Sequence, residues 1–242
     1  MKKLCETLAQ TELFAGLDHD TFNRFCTRVN IRLAWKGEVI VNEGDPATVL
    51  YTVVSGQVAM QKYAANGDFV TLDLLGPGDI FGEDLVFGDE KNWTLTAEAV
   101  SNAKVLTLSH DILLALLAEK PEMMERFAGV LSARIRRHDK RIIILSQRNL
   151  RAKISSYLLD LLDLQLEEDE KEALPGKKTY ISTPSVELPV SKEVAARLLA
   201  MPRPSFSREL VRMEKDGLIR VSGRVIWLTN LEGLEHGLDD YE

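Results

Sequence analysis

The hydrophobic residues of this chain change their periodicity twice. Between residues 33 and 109, short runs rich in Val, Leu, Thr and Tyr alternate with turn sequences such as EGDP, NGD and GPGD. Strands this short and this evenly spaced are typical of an antiparallel β-sandwich or barrel. Ahead of them, DHDTFNRFCTRV predicts a short helix that begins near Asp18 or Asp20. The first part of the chain is therefore expected to be mainly β.

After Pro121 the apolar residues recur at alternating steps of four and three. A heptad seam sustained in this way predicts a long helix packed on a partner helix. Two polar positions lie in the seam, His138 and Asn149, and such residues usually fix register and strand number. A ligand role for His138 is the alternative. The seam comprises Met124, Ala128, Leu131, Ile135, His138, Ile142, Leu145, Asn149 and Ala152.

The last part of the chain returns to shorter elements. RAKISSYLLDLLDLQL predicts an amphipathic helix, the acidic stretch 167–180 a loop, and GLIRVSGRVIWLTN a hairpin. Between them, LLAMPRPSFSREL interrupts its helical spacing at Pro202 and Pro204. Because proline inside a helix costs roughly 3 kcal/mol, two short helices joined by a sharp turn are predicted here. Ser191 would cap the first helix, Pro204 would lie in the first turn of the second, and Gly217 would end it.

The second short helix has an apolar face and a polar leading end. Its apolar face consists of Phe206, Leu210 and Met213. Its polar end consists of Arg203, Ser205, Ser207 and Arg208. Two short helices of this kind predict a helix-turn-helix, and the hairpin that follows makes it winged. An ordinary helical hairpin with a solvated Ser/Arg face is the alternative.

Composition and charge narrow the function. The chain has 242 residues, of which 45% are hydrophobic and 28% charged, enough for one large domain or two ordinary ones. No apolar run approaches a membrane span and the N-terminus lacks the apolar core of a signal peptide, so we expect a soluble, cytoplasmic protein with no membrane partner. The net charge of −7 argues against nucleic acid as a partner. However, residues 134–153 hold eight Lys/Arg against one Asp, and residues 186–230 hold eight against five acids, so basic surface is localised.

Cysteine and histidine usage points away from metal chemistry. Cys5 and Cys26 are too few for a disulfide scaffold or an iron–sulfur cluster, and no Cys-x-x-Cys pair indicates structural zinc. Two free thiols are the simpler interpretation, with a redox role for Cys5 as the alternative. A cupin-like enzyme would need clustered histidines, which the β region lacks. We therefore expect a protein without catalytic activity.

Two stretches resemble the CRP/FNR superfamily of bacterial transcription regulators. RPSFSRELVRMEKDGLIRVSGRVIWL is similar to the family's recognition helix and wing. KGEVIVNEGDPATVLYTVVSGQVAM and NGDFVTLDLLGPGDIFGEDLVF resemble its cyclic-nucleotide-binding jelly roll. The matching positions are Gly37, Gly44, Asp45, Tyr51, Gly56, Gly67, Gly78, Asp79, Phe81, Gly82 and Glu83. The resemblance implies an α+β two-domain fold, with an antiparallel β jelly-roll sensor at 1–120, a dimerisation helix at 121–150 and a winged helix-turn-helix at 151–242.

The resemblance also implies how DNA would be recognised. Family members are homodimers that place two recognition helices in successive major grooves of an inverted-repeat operator in double-stranded DNA, and RNA polymerase is a further expected partner. Arg208 stands at the family's base-reading arginine, where it would pair with a guanine. Arg203, Ser205 and Ser207 lie at or beside contact positions, whereas Pro204 replaces a common glutamate and removes one base selection. Phosphate contacts are expected from Ser191, Lys192 and Arg224.

The sensor half departs from the family pattern. In cyclic-nucleotide binders, an arginine about ten residues after FGE neutralises the cyclic phosphate, but Trp93 and Thr94 stand there in this chain. A buried phosphate without its arginine costs several kcal/mol, so cyclic AMP is not expected to be the effector. The candidate effector pocket comprises Phe81, Gly82, Glu83, Trp93 and Thr94. Trp93 either belongs to the core or lines a pocket for a flat or apolar effector.

Three alternatives stay open from the sequence. A haem-based nitric oxide sensor of the same fold would use His138, His110, Met60 or Cys26 as an iron ligand. A cyclic-nucleotide-type module could instead control a protein partner. The favoured interpretation is a homodimeric transcription regulator that responds to a small-molecule or gas effector, with a hinge near residues 149–152. Its dimer seam would be formed by Leu131, Ile135, His138, Ile142 and Leu145.

Overall fold

A computed structural model of the chain describes residues 11–15, 21, 29–172 and 183–236. The helix predicted over DHDTFNRFCTRV lies almost entirely outside these ranges, as do Cys5 and Cys26. Residues 1–137 and 138–242 form two compact units. Within the described ranges, no helix is long and apolar enough to cross a membrane. The domain boundaries expected at residues 120 and 150 stay predictions.

The first unit is an antiparallel β roll, as predicted. Its two four-stranded sheets have the strand orders β1-β8-β3-β6 and β2-β7-β4-β5. The strands are β1 (Asn30–Ala34), β2 (Val39–Val41), β3 (Val49–Ser55), β4 (Val58–Tyr63), β5 (Phe69–Leu75), β6 (Ile80–Phe81), β7 (Thr96–Ala99) and β8 (Ala103–Ser109). A 3₁₀ turn at Glu12–Phe14 and two helices, α1 (Glu83–Phe87) and α2 (His110–Glu119), complete the part described before the long helix.

The central strands of the first sheet, β8 and β3, are buried on both faces. Tyr51 and Val53 of β3 face the core between the two sheets, whereas Leu50 faces a second core on the outer side. A strand buried on both sides has a nearly continuous apolar sequence, which explains the run VLYTVV. Gly56 ends this strand with a φ of +79°, and a Cβ there would lie 2.2 Å from the Asn102 carbonyl oxygen. Glycine at this turn is therefore required by both backbone conformation and space.

The long helix α3 (Pro121–Ser146) packs one face on the roll and exposes another. Met123, Phe127 and Val130 are buried in the outer core with α2. The predicted seam lies on a different face, where Ile135 and Ile142 are each 62% exposed. Of the other seam residues, Met124, Ala128 and His138 are exposed, while Leu131 and Leu145 are half-buried.

The helix boundaries after α3 differ from the sequence prediction. α3 ends at Ser146, and α4 (Leu150–Glu172) begins after a short break. Asn149 caps α4, since its Oδ1 accepts a hydrogen bond from the Ala152 N–H at 2.8 Å. The predicted seam is therefore interrupted after Leu145, because asparagine stabilises a helix start better than a helix interior. The loop predicted over 167–180 is also wrong for 167–172, where α4 continues through residues that favour helix.

The second unit contains the predicted winged helix-turn-helix. After α4 come β9 (Ser185–Glu187), α5 (Lys192–Leu198), α6 (Arg203–Lys215), β10 (Ile219–Ser222), β11 (Val225–Leu228) and α7 (Leu231–His236). Ser191 caps α5 by accepting from the Val194 N–H at 3.4 Å. Pro202 is the N-cap of α6 and Pro204 lies in its first turn, where the missing N–H costs little. The wing is a three-stranded sheet in the order β10-β11-β9.

Candidate functional site

The leading end of α6 brings together four residues predicted to contact DNA. Phe206, Leu210 and Met213 are buried, so the helix is fixed in the unit by one face. On the other side, Arg203 and Arg208 are exposed and Ser205 and Ser207 are half-buried. The Arg208 guanidinium donates to the Ser205 hydroxyl at 3.3 Å, which holds it beside the helix start. The polar end thus presents two exposed guanidiniums together with two half-buried serine hydroxyls.

The turn between α5 and α6 is tightly held. Ala200 has a φ of +50°, a left-handed conformation that costs roughly 1–2 kcal/mol for a residue other than glycine. The Met201 N–H donates to the Ala196 carbonyl at 3.0 Å. From α3, the Arg141 guanidinium donates to the Leu198 carbonyl near the end of α5. These bonds fix the angle between the two helices at the expense of local strain.

The three candidate phosphate contacts lie in different environments. Ser191 is exposed and Lys192 half-buried, both at the start of α5. Arg224, in the wing turn, is exposed and forms an ion pair with Glu187 at 2.5 Å. A phosphate contact by Arg224 would therefore exchange one anionic partner for another.

Three arginines and one lysine of the basic stretch 134–153 have acidic partners within the chain, which were not predicted from the sequence. Arg137 pairs with Asp79 at 2.7 Å, and Lys140 pairs with Asp160 at 3.2 Å. Arg134 forms an ion pair with Glu83 and lies 3.5 Å from an oxygen of Asp73. The turn sequences GPGD and FGE could have indicated these pairs, because a half-buried acid in a turn needs a cationic partner. Much of this stretch is therefore not free basic surface.

Trp93 belongs to the core of the roll. Its indole is 4% exposed and lies 5.8 Å from the Tyr51 ring and 5.9 Å from the Phe81 ring, centroid to centroid. Tyr51 and Phe81 stack at 4.7 Å. Gly82 has a φ of +89°, and a Cβ there would lie 2.8 Å from the indole. Of the two alternatives for Trp93, the structure therefore favours core packing.

Glu83 is the charged centre of the candidate effector site. Its side chain is 12% exposed and pairs with Arg134, which also donates to the Ile80 carbonyl at 3.1 Å. Burial raises the pKa of Glu83, an effect that Arg134 opposes only in part. Thr94, in contrast, is exposed. The site therefore gathers two carboxylates, Glu83 and Asp73, around one guanidinium.

The residues considered as haem ligands differ in how far they are buried. Met60 is buried in the core between the sheets, and His110 is half-exposed at the start of α2. His138 is exposed on α3. Among the described residues, no three His, Cys, Asp or Glu side chains are placed to hold a metal ion. Haem sensing stays a prediction from the sequence.

A roll of this type followed by a winged helix-turn-helix defines a DNA-binding transcription regulator. Residues 32–120 match the cyclic nucleotide-binding domain family, and residues 152–236 match the Crp-like helix-turn-helix domain family. The transcriptional regulator LdrP of Thermus thermophilus is 31% identical over 198 residues, which cover 82% of this chain and 91% of LdrP. The cyclic AMP receptor protein of the same organism is 32% identical over 170 residues, 68% of this chain and 78% of that protein.

A solved structure agrees with these relatives. The crystal structure of a CRP-family transcriptional regulator, also from Thermus thermophilus, is 30% identical and has a TM-score of 0.63, covering 86% of this chain and 96% of its own. The chain belongs to the CRP/FNR superfamily of transcription regulators. It is a regulator and not an enzyme.

The buried position of Glu83 predicts an unusual pH dependence of stability. A carboxyl whose pKa is higher in the folded state binds more protons there, so its contribution to the free energy of unfolding falls as pH rises through that pKa. Glu83→Gln removes this dependence. We expect the stability of the wild type relative to Glu83→Gln to fall as pH rises from about 4.5, the ordinary pKa of the carboxyl, through its raised folded-state pKa, by about 1.4 kcal/mol for each unit of elevation. Urea denaturation at a series of pH values measures the difference.

Glu38→Gln is the matched control with the opposite sign. Glu38 accepts hydrogen bonds from the Trp35 N–H and from Arg32, which lower its pKa. Its contribution is therefore present above its ordinary pKa and lost in acid. The wild type should gain stability relative to Glu38→Gln as pH rises. If the stability of the wild type relative to each variant changed with pH in the same direction, the role assigned to burial at Glu83 would be contradicted.

Proposed function

We propose that the protein acts as a homodimer on an inverted-repeat operator, together with RNA polymerase, under the control of an effector other than cyclic AMP. The observation that carries the proposal is the exposed polar end of α6 opposite a fully buried apolar face. This arrangement supports insertion of one helix per protomer into the DNA.

Recognition would depend chiefly on Arg208. B-DNA's major groove is about 12 Å wide and admits a helix, and an exposed arginine at its leading end can pair with guanine N7 and O6. Arg203, Ser205 and Ser207 surround it and would contact neighbouring bases or phosphates. Ser191 and Lys192 at the start of α5 and Arg224 in the wing would contact phosphates, which position the protein without specifying sequence.

Dimerisation is supported by the exposed face of α3. Ile135 and Ile142, at 62% exposure, leave unusually large apolar area on a helix. Together with Leu131 and Leu145 they follow the heptad spacing expected for a second copy of the same helix. His138 lies between them and is exposed in the single chain, so it would be a polar residue that fixes the register of the pair.

The effector would differ from that of the relatives named for cyclic AMP. Trp93 stands at the position of the phosphate-binding arginine, and Arg134, which contacts Glu83 of the candidate site, is already paired with that carboxylate. Asp73 and Glu83 would repel an added anion. These features support a small molecule or gas that carries no phosphate.

The dimer face can be tested with two neighbouring isoleucines. Ile142 lies in the seam and Ile143, 60% exposed, lies outside it at the next position. Ile142→Glu should convert the dimer to a monomer and weaken operator binding, because it places two like charges in a shared seam. Ile143→Glu should remain dimeric. Sedimentation equilibrium measures the mass of each variant. If Ile142→Glu stays dimeric and Ile143→Glu becomes monomeric, the seam has been assigned to the wrong face of α3.

Arg208→Ala tests the base-reading residue. An operator is first selected from a pool of randomised duplexes with the wild-type protein. We expect the variant to lose about 1–3 kcal/mol of discrimination per half-site while keeping its salt-dependent affinity for unrelated DNA. Lys215→Ala, at the other end of α6, removes the same charge and should leave discrimination unchanged. Unaltered selectivity in Arg208→Ala would show that another residue reads the operator.

Cyclic AMP binding can be measured directly by calorimetry on the full chain. We expect any binding to be weaker than a Kd of about 1 mM, because Arg134 and Lys62, which contact residues of the candidate site, are already paired with Glu83 and Glu43. Operator affinity should be the same with and without the nucleotide. A micromolar Kd would contradict the proposal and would imply that Arg134 exchanges Glu83 for the phosphate.

A further inference from the structure

Arg151 lies where the chain enters the DNA-binding unit. It is in the first turn of α4, directly after the break at residues 147–149. The Asn149 cap holds this turn, so the backbone of Arg151 is well fixed. Its side chain is 37% exposed and points to α6. Arg151 thus joins the start of α4 to the recognition helix.

The guanidinium of Arg151 holds α6 at two points. Its Nε donates to Oε1 of Glu209 at 2.9 Å, and its Nη2 lies 2.7 Å from Oδ2 of Asp216. Glu209 is in the middle of α6 and Asp216 directly follows its last residue. The two positions are seven residues apart, about 10 Å along a helix axis. Contacts at two separated points resist both rotation and tilting of α6 relative to α4.

Glu209 is the buried member of this contact. Its side chain is only 9% exposed, on the buried side of α6, and it directly follows the exposed Arg208. Loss of a cationic partner from a buried carboxylate costs more than loss of an exposed ion pair. Arg212 also reaches Glu209 at 3.3 Å, but it belongs to α6 itself and cannot set the position of that helix relative to α4.

We propose that Arg151 is a positioning residue for DNA reading, which sets the orientation of α6 and so the direction in which Arg208 leaves the helix. Arg151 does not contact DNA in this role. The planar fork of an arginine is needed, because a lysine ammonium would reach one of the two carboxylates at a time. The inference rests on the proposed recognition role of α6.

Arg151→Gln tests the proposal in the full-length protein with the selected operator. We expect operator affinity to fall by about 10-fold or more, as for other contacts within one ion-pair network. Affinity for unrelated DNA, and its dependence on salt, should stay unchanged because no phosphate contact is lost. Lys153→Gln is the control, because it removes the same charge from the same turn of α4. Among the described residues, no ion pair is seen for Lys153. The variant should therefore leave the ratio of operator affinity to affinity for unrelated DNA unchanged.

Further variants separate positioning from folding. Asp216→Asn removes only the half-exposed arm of the contact and should retain the fold even if Arg151→Gln does not. It should reduce operator discrimination, and the effects of Asp216→Asn and Arg151→Gln should be less than additive. The operator discrimination of Arg151→Lys should lie between that of Arg151→Gln and that of the wild type. Urea midpoints and the dimer mass are measured for each variant.

Two results would overturn the proposal. Equal loss of operator and unrelated DNA binding in Arg151→Gln, with a salt slope reduced by about one, would make Arg151 a phosphate contact. A lowered urea midpoint with an unchanged operator ratio in both Arg151→Gln and Asp216→Asn would make it a purely structural residue. If the wild type itself does not discriminate any selected operator, it is the proposed DNA-reading function that fails.

Discussion

Burial of both faces of β8 and β3, the central strands of the sheet β1-β8-β3-β6, is the constraint on which the first unit depends. One face packs on the second sheet, so the other face needs its own apolar cover. α2 and the first turns of α3 provide it, through residues such as Leu113 and Phe127. Hydrophobic burial of this kind is the main stabilising contribution in a domain. Because packing on the sheet selects one face of α3, it also decides which face is left outward, and Ile135 lies on the outward one.

Many charged side chains of this protein form local ion pairs and do not add up to a large surface of one sign. The chain carries a net charge of −7, yet its cations and acids meet within each unit. Arg134 and Arg137 in the first unit and Arg151 in the second all face carboxylates. Half-buried pairs of this kind are screened less by salt than exposed ones. Overall charge is therefore a poor guide to where exposed basic groups lie, such as Arg203 and Arg208 at the start of α6.

Much of the fold could be predicted because its signals are local. Turn glycines separate the strands of the roll, and Pro202 and Pro204 divide the helix-turn-helix at the correct residues. The end of α3 was missed because heptad spacing continues through Asn149, although that side chain binds the backbone of the next helix. Helix propensity alone would have corrected the loop expected at 167–172.

The site was only partly predictable for a different reason. The exposed end of α6 follows from helical periodicity, since Phe206 and Met213 identify the buried face. The pairs formed by Glu83 with Arg134 and by Arg151 with Glu209 join residues 51 and 58 positions apart. No spacing rule connects such distant residues, so only the folded chain reveals them. The sequence does not decide whether Trp93 belongs to the core or lines a pocket, because its neighbours Tyr51 and Phe81 are distant in the chain.

The packing of Trp93 determines what the roll would tolerate at position 93. An arginine in its place would leave the volume of an indole unfilled beside Tyr51 and Phe81. It would also bury a guanidinium among aromatic rings, while Glu83 is already paired with Arg134. The single substitution Trp93→Arg would thus destabilise the roll both through lost packing and through an uncompensated buried charge.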